Sequence, residues 1–363
     1  VALALQRLGH LFRINVSREP TMAVPVIDIS CSISGDEAAR RVLAKEIDRA
    51  CRDIGFFTIV GHGIDEALVE RVKALSASFF ALPATEKSSY KAAPGVKGIR
   101  GYRGVGDESL SYSLGRAAPP DYKETFRVGR VDVPDDDYHH AHLDRYFAPN
   151  PWPQRPAEFR AVWEAYYRAM EELSARLMRL FALALDLPER FFADKIDRHI
   201  SHLQANLYPD QDVPPQPDQL RAGAHSDYGS LTVLRQENKP GGLQVQAVDG
   251  TWADVATVPH SFVINIGDLM AYWTNDRWRS TLHRVVNPPR EAFGSSARLS
   301  LVFFHQPNHD ARVECLPSCI DADHPAKYAP TTSGAHLLGK INKSNTMGQV
   351  DPKQVDPKVV ATA

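Results

Sequence analysis

The sequence predicts a mainly β fold with flanking helices: a double-stranded β-helix, or jelly roll, preceded by a helical N-terminal part. Two features carry that expectation. Before about residue 200, apolar residues recur at helical spacing over long segments, as in 37–54, 68–80 and 158–185. After it, short β-rich runs alternate with Gly, Pro and Asn turns, at 203–208, 231–236, 243–248, 262–266 and 298–304. The chain has 363 residues, 43% hydrophobic and 24% charged, enough to build a large core in water.

Residues 1–23 read as a flexible N-terminal extension. Arg7 and His10 interrupt its apolar stretch and no small-residue cleavage site follows, so it is not read as a signal peptide. Residues 24–200 form the helical and mixed N-terminal region. Its first strand is 24–29, where Pro25 marks an edge or a beginning. In the helix at 37–54, Leu43, Ile47, Ala50, Cys51 and Ile54 share one face. The apolar run 55–60 ends at Gly61-His62-Gly63, and the helix at 68–80 stops near Pro83. Residues 95–155, rich in Gly, Pro and acid, are expected to be long loops that shape a site. The longest helix, 158–185, carries Val162, Tyr166, Leu173, Leu177 and Leu180 on one stripe and is closed by Pro188. Residues 201–330 are the jelly-roll catalytic core, and 331–363 a C-terminal helix and tail.

A net charge of −2 gives no basic surplus for nucleic acid. No apolar run approaches the roughly 20 residues of a membrane helix. Four cysteines, Cys31, Cys51, Cys315 and Cys319, are too few for a disulfide framework at this length. The expected partner is a small-molecule substrate, without nucleic acid, membrane or an obligate protein partner, in the cytoplasm.

Chemistry concentrates in the β-rich half. His225-Ser226-Asp227 puts an imidazole and a carboxylate two residues apart, which in a strand share one side. His283 supplies a second imidazole. Two nitrogens and one oxygen on one face of a metal leave three positions open, the arrangement of non-haem iron(II) oxygenases. His142-Leu143-Asp144 repeats the short pattern but has no strand or partner histidine. Arg298, Ser300, Val302 and Phe304 share a strand face, and an arginine facing inward from an apolar strand needs an anion. Its guanidinium fork fits a carboxylate, with the Ser300 hydroxyl adding a bond. Gln204, Asn206 and Tyr208 form a polar stripe of the same period, read as facing a pocket.

From Val24 onward the chain resembles the 2-oxoglutarate/Fe(II)-dependent oxygenases of the isopenicillin-N-synthase-like family. The residues that carry this are Val24-Pro25-Val26-Ile27-Asp28, Gly55-Phe56-Phe57, Gly61-His62-Gly63-Ile64, Asp121-Tyr122-Lys123-Glu124, Asn206-Leu207-Tyr208-Pro209, His225-Ser226-Asp227-Tyr228-Gly229, Gly242-Leu243-Gln244-Val245, Asn265-Ile266-Gly267-Asp268 and His283-Arg284-Val285. The resemblance implies His225, Asp227 and His283 as ligands of Fe(2+). It implies Arg298 and Ser300 on the distal carboxylate of 2-oxoglutarate, with Tyr208 and Asn206 helping to hold it. It implies Phe304, Gln306 and Gln204 at the substrate, and Tyr102 and Arg103 on a loop over the pocket. The implied reaction consumes O2 and 2-oxoglutarate, releases succinate and CO2, and hydroxylates, desaturates or cyclises a small organic substrate, with ascorbate as an accompanying reductant. Three rivals stand beside it. One is a family member that draws electrons from its substrate or from ascorbate without 2-oxoglutarate. The second is an inactive jelly roll that keeps a small-molecule pocket. The third is a zinc hydrolase, which would want a general base such as Glu237 at the metal.

Overall fold

A computed structural model of the chain describes residues 24–92, 100–115, 118–211 and 214–346. The expected N-terminal extension and the end of the C-terminal tail lie outside the described residues.

The first strand, β1 (Val26–Asp28), leads into helix α1 (Glu37–Asp53). Asp36 caps that helix, its side chain accepting from Ala39 N at 2.8 Å. Leu43, Ala44, Ile47, Ala50 and Cys51 are its buried stripe, at the helical spacing read from the sequence. The chain then turns at Gly55, whose φ of +74° favours glycine, into β2 (Phe56–Val60). Asp65 caps α2 (Glu66–Phe80) in the same manner, accepting from Ala67 N at 2.9 Å.

The region expected to be loops is more regular than its composition implies. It contributes β3 (Gly101–Arg103) and β4 (Glu124–Val128), besides short helical turns. Both strands are short, and the ladder that orders β4 is on β5 (His202–Tyr208), far along the chain. Local composition carries no trace of such a partner. Between them runs α3 (Phe159–Ala184), packed on α1 and α2.

The β-rich half supplies β6 (Ala222–His225), β7 (Leu231–Arg235), β8 (Leu243–Gln246), β9 (Trp252–Asp254), β10 (Phe262–Ile266), α4 (Asp268–Trp273), β11 (His283–Val285) and β12 (Arg298–His305). Helix α5 (Ser333–Thr346) follows. Among the described residues, eight strands form the large sheet in the order β1-β2-β10-β7-β12-β5-β4-β3. The small sheet is β6-β11-β8-β9. Strands from before residue 200 thus complete both edges of the large sheet.

Alternation sorts the faces of the large sheet. Phe57, Phe126 and Phe303 meet α3 through Phe181, Trp163 and Tyr167, with ring centroids 6.5, 5.3 and 5.1 Å apart. Each such fully buried large side chain contributes about 1.5–3 kcal/mol, so the helical layer holds this face firmly. Their strand neighbours Phe56, Arg127, Val302 and Phe304 therefore face the small sheet, and all four line the cavity between the sheets. Phe56, Leu243, Val245, Val255 and Val263 pack together between the sheets as a separate apolar cluster.

Candidate metal and co-substrate site

His225 and His283 stand directly opposite each other on β6 and β11, on the small sheet. Asp227 comes from the turn that carries the chain across to β7. Sequence periodicity placed His225 and Asp227 on one strand face; in fact β6 ends at His225, and the turn makes the carboxylate converge. That turn is held by close backbone approach. A Cβ on Gly267 would stand 2.2 Å from Gly229 O, and one on Gly229 would stand 2.3 Å from His305 O. Asp268 N donates to Asp227 O at 2.8 Å and fixes the same turn.

The Nε2 atoms of His225 and His283 each lie 3.8 Å from an oxygen of Asp227. One ligand atom from each of the three residues lies within 4.8 Å of the others, the one such group of three among the described residues. His225 Nδ1 is tied to Gly223 O at 2.8 Å and His283 Nδ1 to Thr281 O at 3.1 Å. A carbonyl partner requires the proton on Nδ1, which leaves Nε2 as a bare donor atom toward the shared centre. Asp227 Oδ2 accepts from Thr232 Oγ1 at 2.5 Å and Asn265 Nδ2 at 2.7 Å. Burial and the neighbouring His283 push His225 down to about 3, so its ring is neutral at ordinary pH. Burial alone would raise the Asp227 carboxyl; the two imidazoles and the hydrogen bonds from Thr232 and Asn265 outweigh it and hold it below its ordinary value. Two imidazoles and a carboxylate are the donor set a divalent iron takes.

The second half of the site is on β5 and β12, whose register pairs Arg298 with Tyr208, Ser300 with Asn206, Val302 with Gln204 and Phe304 with His202. The two period-two stripes read from the sequence are thus one surface. Asn206 Nδ2 donates to Ser300 Oγ at 3.2 Å, and Gln204 Nε2 donates to Asn206 Oδ1. Arg298 is 3% exposed, and its fork finds only carbonyls: Nη1 donates to Gly241 O at 3.1 Å and Nη2 to Glu237 O at 3.4 Å. Its Nε has no partner among the described residues. Burial lowers its pKa from the ordinary arginine value. The guanidinium sits 5.5 Å from the centroid of the Tyr208 ring. No carboxylate among the described residues forms an ion pair with it. A buried arginine satisfied only by carbonyls suits an incoming carboxylate.

Phe304, Gln306, Gln204 and Arg103 all line the cavity of about 340 Å³ that reaches the histidines and Asp227. Gln306 is 2% exposed and its Oε1 has no partner among the described residues. Tyr102 does not belong there. It lies in β3 rather than in a loop, its hydroxyl donates to Glu124 Oε2 at 2.6 Å, and its ring packs on Phe79 at 6.0 Å. Alternation turns Arg103 into the cavity and its neighbour Tyr102 into the core. The decoy His142 packs on His309, 4.0 Å between ring centroids, and belongs to no group of three candidate ligands among the described residues. Glu237 accepts from Leu299 N at 2.8 Å and pairs with Lys73 at 3.5 Å, and it does not line the cavity, so it does not supply the base that the hydrolase reading wanted at the metal.

Sequence reasoning missed several contributors. Thr232 and Asn265, which hold Asp227, lie in ordinary apolar strands; only the short Asn265-Ile266-Gly267-Asp268 motif hinted at a role. Glu108, Lys123, Arg127 and His202 line the cavity, as do Leu337 and Ile341 of α5. They come from distant segments without a shared local pattern.

Two family profiles match the chain: non-haem dioxygenase in morphine synthesis, N-terminal, over residues 24–155, and the 2OG-Fe(II) oxygenase superfamily over 200–307. A homoarginine-6-hydroxylase of Arabidopsis thaliana is 31% identical over 350 residues, 93% of each chain. A full-length Neurospora crassa protein solved in complex with alpha-KG superposes with a TM-score of 0.77 at 32% identity, covering 89% of this chain and 97% of that one. JOX2 in complex with 2OG, Fe and JA gives a TM-score of 0.70 at 29% identity, covering 88% and 85%. Fold, donor set and relatives agree: this chain is an enzyme of the 2-oxoglutarate/Fe(II)-dependent oxygenases, in the isopenicillin-N-synthase-like family, with Fe(2+), 2-oxoglutarate and O2 as its cofactor and reactants.

Proposed function

We propose that His225, Asp227 and His283 hold the iron, that Arg298 and Ser300 receive the distal carboxylate of 2-oxoglutarate with Tyr208 and Asn206 beside them, and that a small organic substrate fills the cavity toward Gln204, Phe304, Gln306 and Arg103. The observation that carries this reading is the pair of histidines whose Nδ1 atoms are each committed to a carbonyl, leaving both Nε2 atoms facing Asp227.

Loaded with iron, such a site couples decarboxylation of 2-oxoglutarate to oxidation of a substrate C–H bond. The chain's own groups orient and shield. Thr232 and Asn265 fix one oxygen of Asp227, so the other stays available. Phe56, Leu234, Leu243, Val285 and Val302 make the wall apolar and exclude water around the reacting centre. A cytoplasmic location is part of the same proposal, and the four free cysteines support it.

Metal reconstitution tests the reading. Purified protein stripped of metal and reloaded with Fe(II) should consume O2 and release succinate from 2-oxoglutarate, whereas Zn(II) should restore neither. Equal activity with zinc would sink it.

Tyr208→Phe tests the co-substrate side. Its expected effect is a raised KM for 2-oxoglutarate at unchanged thermal stability, the loss of one hydrogen bond to a charged group, roughly 1.5–3 kcal/mol. Unchanged co-substrate kinetics would place the hydroxyl's role elsewhere.

A further inference from the structure

Resting on the oxygenase reading of the cavity, we propose that the substrate carries a carboxylate, and that this group seats at the β3–β4 end of the cavity against Arg103 and Arg127. Arg103 and Arg127 stand on β3 and β4, the outer strands of the large sheet, whereas Arg298 is on β12. Across the large sheet, Thr232, which holds Asp227, is on β7, and β12, β5 and β4 follow in order out to β3.

The charges there do not balance. Arg103, Lys123 and Arg127 meet Glu108 and Asp121, three cations against two carboxylates. Asp107, which also lines the cavity, is paired with Lys91 at 2.7 Å. Glu108 is saturated: Arg127 Nη2 approaches its two oxygens at 3.0 and 2.7 Å, and Lys123 stands 3.5 Å away. Lys123 is shared with Asp121 at 3.1 Å, and Asp121 also accepts from Gly223 N at 3.0 Å. No carboxylate of the cluster is left for a cationic substrate.

The cations are the groups left wanting. The Arg127 side chain is 8% exposed, lines the cavity, and its Nε has no partner among the described residues. Arg103 reaches Glu108 only at 3.5 Å and keeps 34% of its side chain exposed. The Arg127 charge beside it, and then burial, hold the Arg103 guanidinium below its ordinary pKa. An anion seated between two guanidinium groups relieves that repulsion and can accept from both forks. 2-oxoglutarate is not the candidate, since Arg298 waits for it elsewhere on β12. Between the two ends, His202 stacks on Phe304 with centroids 4.7 Å apart and planes 22° apart, a flat floor for the body of the substrate.

The test uses the full chain with iron and 2-oxoglutarate bound, kept anaerobic. Crystals soaked in sodium bromide should show an anomalous peak between Arg103 and Arg127, and the same soak of Arg103→Gln should show none. Arg103 is partly exposed, so this variant avoids stranding Glu108; Arg127→Lys, which keeps the charge, guards against misfolding and should retain the peak. No peak in the wild type, or a peak that survives Arg103→Gln, overturns the proposal. In solution, phenylacetate, indole-3-acetate and octanoate are each compared with their primary amides by succinate release. Acids should exceed amides at least tenfold. Any amide within threefold of its acid counts against the carboxylate, and the bromide result decides alone if none of the six is turned over. Titration of 2-oxoglutarate into the anaerobic wild type separates the two readings: no binding overturns the oxygenase site itself, while binding without anion preference overturns only this proposal.

Discussion

Alanine at His225, Asp227 or His283 is expected to strip the protein of iron and of turnover while leaving it folded. Losing outer-shell partners of a metal site commonly costs 10–100-fold in affinity, so losing one of three direct ligands should cost more. The fold does not rest on these side chains, because the main core lies on the far side of the large sheet, around α3. The three variants should still differ in stability. His225→Ala and His283→Ala free one carbonyl each. Asp227→Ala strands two buried donors, Thr232 Oγ1 and Asn265 Nδ2, at roughly 1–3 kcal/mol for each unsatisfied group. Asp227→Ala should therefore show the lowest Tm of the three, with iron content near zero in all. Iron by elemental analysis, Tm by calorimetry and succinate release check this together. Full iron occupancy in any of the three would remove that residue from the ligand set. His142→Ala, whose H-x-D pattern joins no three-ligand group among the described residues, should behave as the wild type.

What could be read from the sequence divides along a physical line. Period-two alternation is local, so the shared face of Arg298, Ser300, Val302 and Phe304 and the stripe of Gln204, Asn206 and Tyr208 were legible, and the β5–β12 register joins them. Helical stripes were legible for the same reason, and α1 and α3 end within a residue or two of the expected bounds. The convergence of His225 with Asp227 was foreseen on a mistaken ground, since a turn and not a strand brings the carboxylate round. That turn is held by the close approach of Gly229 and Gly267 and by the bond from Asp268 N to Asp227 O, between residues remote in sequence. Tyr102 was misplaced because a three-residue strand among Gly and acidic residues looks like a loop. Once β3 is recognised as a strand, alternation alone separates Tyr102 from Arg103. The Glu108, Asp121, Lys123 and Arg127 cluster was not legible, because its pairing exists only after the segment around Glu108 folds against β4.

Arg298→Leu is expected to weaken 2-oxoglutarate binding by more than a hundredfold. The guanidinium is 3% exposed and meets only the carbonyls of Gly241 and Glu237, with Nε unpartnered, so the chain provides a buried cation and leaves the anion to come from outside. Removing the cation would bury the incoming carboxylate unpaired, at a cost of roughly 3–5 kcal/mol by analogy with a broken buried pair. At about 1.4 kcal/mol per decade, that is two to three and a half decades in affinity. Arg298→Lys keeps the charge but loses the planar fork, so it should weaken binding less than leucine does. Loss of the two carbonyl contacts could lower stability in both variants, so the Tm of each is measured alongside. Isothermal titration of 2-oxoglutarate into anaerobic, metal-loaded protein reads the effect directly, apart from catalysis. Binding in Arg298→Leu as tight as in the wild type would put the co-substrate carboxylate elsewhere. Arg103 and Arg127 would then be the next cations to test, because both line the cavity that reaches the metal residues, Arg103 meets Glu108 only at 3.5 Å, and Arg127 Nε has no partner among the described residues.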